Sequence, residues 1–222
     1  MQWQKLIVAL DLDDKTALGR VVRVLSPEGV KFKIGLRAFT KFGPDLVRKM
    51  VKNGADVFLD LKLHDIPNTM AQAAAVITEM GCWAFTVHIK AGEEALTAVK
   101  KEVALTARKH KLRKPIILGV SELTSSKATP AQVMKLIDIA AAAGIDGIVC
   151  SPLEASVVKQ RYGRKLAVVT PGIRGPEDAM GDQKRIMTAK KAFAAGSDYI
   201  VVGRPIIGKK DYFKAAQTIL SV

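Results

Sequence analysis

Between Val57 and Asn68 the chain reads Val-Phe-Leu-Asp-Leu-Lys-Leu-His-Asp-Ile-Pro-Asn, which places Asp60, Lys62 and Asp65 in one short segment. Side chains two apart on a strand point to the same face. Asp60 and Lys62 therefore share a face with Phe58, and Leu59, Leu61 and Leu63 share the other. Buried charge is costly unless it is paired. A carboxylate beside an ammonium on a covered face thus points to chemistry more than to packing. Lys33 ends a second β-rich run and adds another ammonium. Lys33, Asp60, Lys62 and Asp65 are expected to form a network of alternating sign in which opposite neighbours hold each charge. A purely structural ion network is the competing reading.

Two further sets carry chemistry. Gly172-Ile173-Arg174-Gly175 and Gly203-Arg204 each combine glycine with arginine. Glycine lets backbone N–H groups approach an anion, and arginine adds a charged fork. Together they predict a phosphate site with Arg204 as its main cation. His64 and His88, with Asp60 and Asp65, could instead ligate a divalent metal. A lone histidine such as His88 also serves as a hydrogen-bonded structural residue. No CxxC or HExxH motif is present.

The elements that position these residues alternate along the chain. Strand candidates are 6–10, 30–34, 57–63, 84–89, 115–120, 147–150, 167–170 and 199–202. Helical patterns occupy 14–25, 36–53, 69–80, 93–110, 130–143, 153–162, 183–195 and 211–221. Several of these helices run into glycine just before the next strand (Gly54, Gly81, Gly144 and Gly196), where the left-handed cap conformation ends a helix. Eight strands alternating with eight helices imply a parallel sheet with helical crossovers, closed as a (β/α)8 TIM barrel over residues 1–222 in a single catalytic domain. In such a barrel, function gathers at the C-terminal ends of the strands, and phosphate at the loops after the seventh and eighth. Asp11, Lys33, Asp60, Lys62, His88, Arg174 and Arg204 all fall at such ends.

Composition sets bounds. The 222 residues are 49% hydrophobic, yet no apolar run approaches the ~20 residues that span a bilayer. The apolar run 6–10 is shorter than a signal-peptide core, so a cytoplasmic enzyme without membrane contact is expected. Two cysteines far apart give no disulfide framework. The net charge of +14 favours anionic ligands, among them phosphorylated metabolites and nucleic acid. A basic nucleic-acid-binding protein would group its lysines with exposed aromatics, and aromatics are only 5% of the chain, so no nucleic-acid partner is expected.

The stretch Asp60-Leu61-Lys62-Leu63-His64-Asp65-Ile66-Pro67-Asn68-Thr69 resembles the signature of the orotidine 5'-phosphate decarboxylases. The likeness extends to Ala9-Leu10-Asp11, Lys33-Ile34-Gly35, Leu123-Thr124-Ser125, Pro171-Gly172-Ile173-Arg174, Asp182-Gln183 and Val202-Gly203-Arg204-Pro205-Ile206. The Asp-x-Lys-x-x-Asp core alone is shared with related sugar-phosphate barrels. The resemblance implies decarboxylation of orotidine 5'-monophosphate to uridine 5'-monophosphate, without metal or organic cofactor. It implies that Lys62 gives a proton to the carbon that loses carbon dioxide, and that Asp60 lies near the substrate carboxylate. Asp11 and Lys33 would contact the ribose, and Thr124 would border the pyrimidine. Arg174, Gln183, Gly203 and Arg204 would bind the phosphate side. Asp65 and Thr69 would reach the neighbouring active site of a homodimer. The segment Gly172–Gln183 is long enough to close over a ligand. One local departure is Ile89-Lys90, where the family pattern has small residues. The alternative within enzymes is a metal-dependent sugar-phosphate decarboxylase or epimerase, with Asp60, Asp65 and a histidine as ligands.

Overall fold

Eight parallel strands close into a barrel in chain order, each paired with its sequence neighbours and β1 with β8. The computed structural model describes residues 2–121, 129–175 and 187–222. The strands are β1 (Leu6–Ala9), β2 (Lys31–Gly35), β3 (Val57–Leu63), β4 (Ala84–His88), β5 (Ile116–Val120), β6 (Gly147–Val149), β7 (Ala167–Thr170) and β8 (Tyr199–Val202). The crossovers are helices α1 (Lys15–Leu25), α2 (Leu36–Lys52), α3 (Pro67–Glu79), α4 (Glu93–Lys109), α5 (Pro130–Ala142), α6 (Pro152–Tyr162) and α7 (Ala189–Ala194). A short α8 (Arg204–Ile207) follows β8, and α9 (Tyr212–Ser221) ends the chain. The periodicity did not show α8, although its Gly-Arg-Pro start, with proline in the first turn, is a helix-opening signal. The expected helix from Gln183 begins outside the described residues, which carry it as Ala189–Ala194.

Strand parity sorts the core into two layers. Ile7, Ala9, Phe58, Trp83, Ala84, Leu118, Val169 and Val201 fill the barrel interior. Their strand neighbours, such as Val8, Phe32 and Leu59, pack outward against the helices. The faces predicted for β3 therefore hold: Leu59 is in the outer layer and Phe58 in the inner one. At the N-terminal end the barrel is closed by Lys31. Its ammonium lies 5.1 Å from the Trp83 ring and 5.6 Å from the Tyr199 ring. It donates to the Gln4 carbonyl at 2.9 Å. Burial pushes its pKa down from the ordinary lysine range, while Asp56 pulls it back up. The open, functional end is the other one.

The Ile89-Lys90 departure is absorbed in the outer layer. Ile89 is buried, and a Cβ at Gly119 would lie 2.9 Å from its side chain. Glycine on β5 thus makes room for a bulky residue after β4. The two cysteines are free and buried, as the absence of a disulfide framework predicts.

Candidate active site

Asp60 on β3 lies opposite Gly35 on β2, at the C-terminal mouth of the barrel. Its carboxylate is surrounded by donors from three strands. The Lys62 ammonium is 2.9 Å from Oδ1, and the Lys33 ammonium is 3.3 Å from Oδ2. The Thr86 hydroxyl on β4 donates to Oδ1 at 3.0 Å. Lys33 also faces Asp11, just after β1, at 3.8 Å. Asp60 and Lys33 side chains are only 13% and 12% exposed, whereas Lys62 is 30% exposed and Asp11 47%. The charges are thus sealed at the base and open toward the mouth. Burial pushes the Asp60 carboxyl up, but the two ammoniums and the bonds from Lys62 and Thr86 outweigh it, and the net shift is downward. Asp60 is an anion held between two cations.

Lys62 has φ 54, in the left-handed region. A non-glycine residue there is uncommon, and such strain concentrates at functional sites. The strand register between β3 and β4 shifts between Leu59 and Leu63, around this residue. The backbone N–H of Lys62 finds its acceptor in the Thr86 hydroxyl, at 2.9 Å.

Asp65 does not join this network, contrary to the four-charge expectation. β3 ends at Leu63, and the Asp65 carboxylate turns to its own chain, accepting from the Ile66 N–H at 2.7 Å. It makes no ion pair among the described residues. Asp65, Ile66 and Thr69 are exposed at the start of α3. His64 stacks on His88, with ring centroids 5.0 Å apart. His88 Nδ1 accepts from the Lys90 N–H at 3.4 Å. Among the described residues no three His, Cys, Asp or Glu side chains come together as a metal site would need.

After β7, Gly172 adopts φ 80, and Ile173 bridges to Met187 in a parallel pair. Arg174 is buried, and its guanidinium donates to the Ile173 carbonyl at 3.4 Å. Arg204 opens α8 directly after β8 and is exposed, with Gly203 as the preceding cap. Of the two arginines, Arg204 is exposed and Arg174 buried. Thr124 and Gln183 lie outside the described residues, as does most of the segment from Gly172 to Gln183.

Three contributors escaped the sequence reading as site residues. Thr86 lies two residues before His88, so parity alone turns it inward, and a polar residue facing a barrel interior was the available signal. Gly35 has an ordinary φ of −94, so its glycine serves space alone: a Cβ there would lie 2.9 Å from Lys33 Nζ and 3.1 Å from the Asp11 carboxylate. Arg37 pairs with Asp13 and donates to the Asp11 carbonyl at 3.5 Å, tying the loop after β1 to α2. No local motif marks such a tie.

Comparison with known proteins places this geometry. The family model described as "Orotidine 5'-phosphate decarboxylase / HUMPS family" matches residues 4–219. An orotidine 5'-phosphate decarboxylase of Vibrio cholerae serotype O1 is 42% identical over 213 residues, covering 91% of this chain and 90% of the relative. One of Pseudoalteromonas translucida is 43% identical over 214 residues, with the same coverage. Among solved structures, an orotidine 5'-phosphate decarboxylase from Lactobacillus acidophilus superposes with a TM-score of 0.82 at 34% identity, covering 97% of both chains. An uncharacterized conserved protein from Geobacillus kaustophilus gives a TM-score of 0.83 at 29% identity, covering 97% of this chain and 98% of its own.

Proposed function

The chain belongs to the orotidine 5'-phosphate decarboxylase / HUMPS family, and from that premise we propose that it decarboxylates orotidine 5'-monophosphate to uridine 5'-monophosphate by direct, metal-free chemistry with Lys62 as proton donor. The single observation that carries this reading is the Lys33–Asp60–Lys62 cluster, with its anion sealed at the base and its Lys62 ammonium toward the mouth.

Direct decarboxylation leaves an electron pair on a ring carbon with no electron sink. The barrier reduction required lies toward the upper part of the ~8–23 kcal/mol that enzymes supply. The bond from the ring carbon to the carboxylate breaks, carbon dioxide departs, and the pair stays on carbon. The proton from Lys62 Nζ then forms the new C–H bond, and neutral Lys62 is reprotonated from solvent. In the ground state the substrate carboxylate faces Asp60. As charge moves to carbon beside the Lys62 ammonium, the interactions improve toward the transition state. Asp11 and Lys33 take the ribose, Thr124 borders the pyrimidine, and Arg174, Gln183, Gly203 and Arg204 take the phosphate. The phosphate end does no chemistry, and its binding energy is available to the reacting end. Exposed Asp65 and Thr69, beside an Ile66 that is 66% exposed, fit a homodimer in which they complete the neighbouring site. We place the enzyme in the cytoplasm.

The metal-dependent sugar-phosphate reading would need Asp60, Asp65 and a histidine to converge. Among the described residues no such group comes together, and Asp60 has Lys33, Lys62 and Thr86 around its carboxylate instead. The deciding experiment is the absorbance change on adding orotidine 5'-monophosphate to exhaustively chelated protein. Full turnover is expected, and turnover that returns only with added metal would sink the metal-free mechanism.

The role of Gly35 gives a separate expectation. Gly35→Ala should leave the melting temperature nearly unchanged, because the crowded atoms are the flexible end of Lys33 and a carboxylate oxygen. It should lower kcat/KM by about 10- to 100-fold, since a misplacement near 1 Å at a reacting group costs that order. Steady-state turnover beside a thermal melt checks both halves.

A further inference from the structure

We propose that Thr86 is a positioning residue for the reaction, whose one hydroxyl sets both the backbone of Lys62 and the carboxylate of Asp60. The inference rests on the reading of Lys62 and Asp60 given above.

Thr86 sits in β4, is almost fully buried, and faces the barrel interior. Its oxygen accepts from the Lys62 N–H at 2.9 Å. An ionised carboxylate only accepts, so the hydroxyl proton is committed to Asp60 Oδ1, at 3.0 Å. The same Oδ1 takes the Lys62 ammonium at 2.9 Å. The contacts close a small ring: Lys62 backbone to Thr86, Thr86 to Asp60, and Asp60 to the Lys62 side chain. Both ends of Lys62 are therefore referred to one point on β4.

That ring is needed because the strand itself does not supply it. Around Lys62 the β3–β4 register shifts, so the regular ladder does not fix this residue. Its left-handed backbone is a strained state that persists only where surrounding contacts over-determine it. The Thr86 side chain takes the place of a ladder acceptor and holds the turn. Valine would match the shape of threonine and remove both bonds. Serine would keep both bonds and lose only the methyl group.

The test compares wild type with Thr86→Val and Thr86→Ser, measuring kcat, KM, binding of uridine 5'-monophosphate and thermal unfolding. Thr86→Val should lower kcat by about 10- to 100-fold, as expected for loss of a group that orients catalytic side chains. KM, and the Kd for uridine 5'-monophosphate, which has no carboxylate to face Asp60, should stay within about three-fold. Thr86→Ser should recover kcat to within about three-fold of wild type. Should Thr86→Val not fold, Thr86→Ala is read by the same criteria. The proposal falls if the valine variant keeps kcat within about two-fold. It falls equally if serine is as impaired as valine, or if uridine 5'-monophosphate binding is lost in step with kcat, since packing alone would then explain the defect. Wild type that turns over normally beside an unaffected valine variant overturns the Thr86 role alone. Wild type that does not decarboxylate the substrate overturns the proposed function, and this role with it.

Discussion

Lys62→Ala is expected to abolish decarboxylation of orotidine 5'-monophosphate while leaving the fold intact, with kcat/KM falling by at least about 10⁴-fold. Two losses add. A positioned general acid contributes about 10²–10⁴-fold, and a fixed charge where negative charge develops contributes about 10²–10³-fold. Lys62 supplies both from one atom, 2.9 Å from Asp60 and open toward the mouth. The fold should survive because Asp60 keeps Lys33 at 3.3 Å and the Thr86 hydroxyl at 3.0 Å. The buried anion is therefore not left alone, which is the condition under which breaking an internal ion pair is most damaging. Single-turnover kinetics, beside a thermal melt and uridine 5'-monophosphate binding, separate the two outcomes. A variant that binds product and melts normally yet does not turn over supports Lys62 as donor. Turnover within about 100-fold of wild type would show that another group gives the proton.

What the sequence made legible follows from where parity applies. Inside a parallel barrel each strand offers its inward residues at alternate positions, so Asp60 and Lys33 could be brought together on paper and are 3.3 Å apart in the structure. The glycines before strands marked the repeat, and the strand boundaries shifted by no more than a residue at most ends. Parity fails where the backbone leaves the strand. The alternation from Leu59 to Leu63 is unbroken in the sequence, yet Lys62 adopts a left-handed conformation that no pattern of side chains announces. Beyond that turn the directions of His64 and Asp65 were unreadable, and the predicted four-charge network loses Asp65 to the Ile66 N–H. Close fits beyond the strand ends were equally hidden. Ile89, just after β4, fits against Gly119 on β5, and Gly35 leaves space for the Asp11 carboxylate beside Lys33 of its own strand. Arg174 is buried, with its guanidinium donating to the Ile173 carbonyl, and a glycine-rich loop says nothing of which way its arginine folds.

Asp60→Asn is the variant that separates what the anion does from what the lysines do. Asparagine matches aspartate in size and keeps an oxygen for Thr86 or Lys62, so the charge is the main loss. We expect kcat to fall by about 10²–10³-fold, the order for removing one preorganised electrostatic element. KM should fall with it, because the substrate carboxylate no longer faces an anion and still meets Lys33 and Lys62. A joint fall in kcat and KM is the signature of ground-state repulsion removed. A KM that rises in step with the loss of kcat would instead mean that Asp60 serves mainly to hold the two ammoniums in place. The pH dependence of stability gives an independent reading of the same charge. The folded-state pKa of Asp60 lies below its unfolded value, because Lys33, Lys62 and Thr86 outweigh the cost of burial. A group shifted in that direction contributes stability that is present above the unfolded carboxylate value of about 3.9 and is lost as pH falls through the lower folded value. The asparagine variant has no such contribution to lose. Urea unfolding of the two proteins between neutral pH and about pH 3 should therefore show their stability difference shrinking on the acid side. A gap that widened on acidification would mean that the carboxyl is held protonated in the folded protein, and an anion between two cations would no longer describe the site.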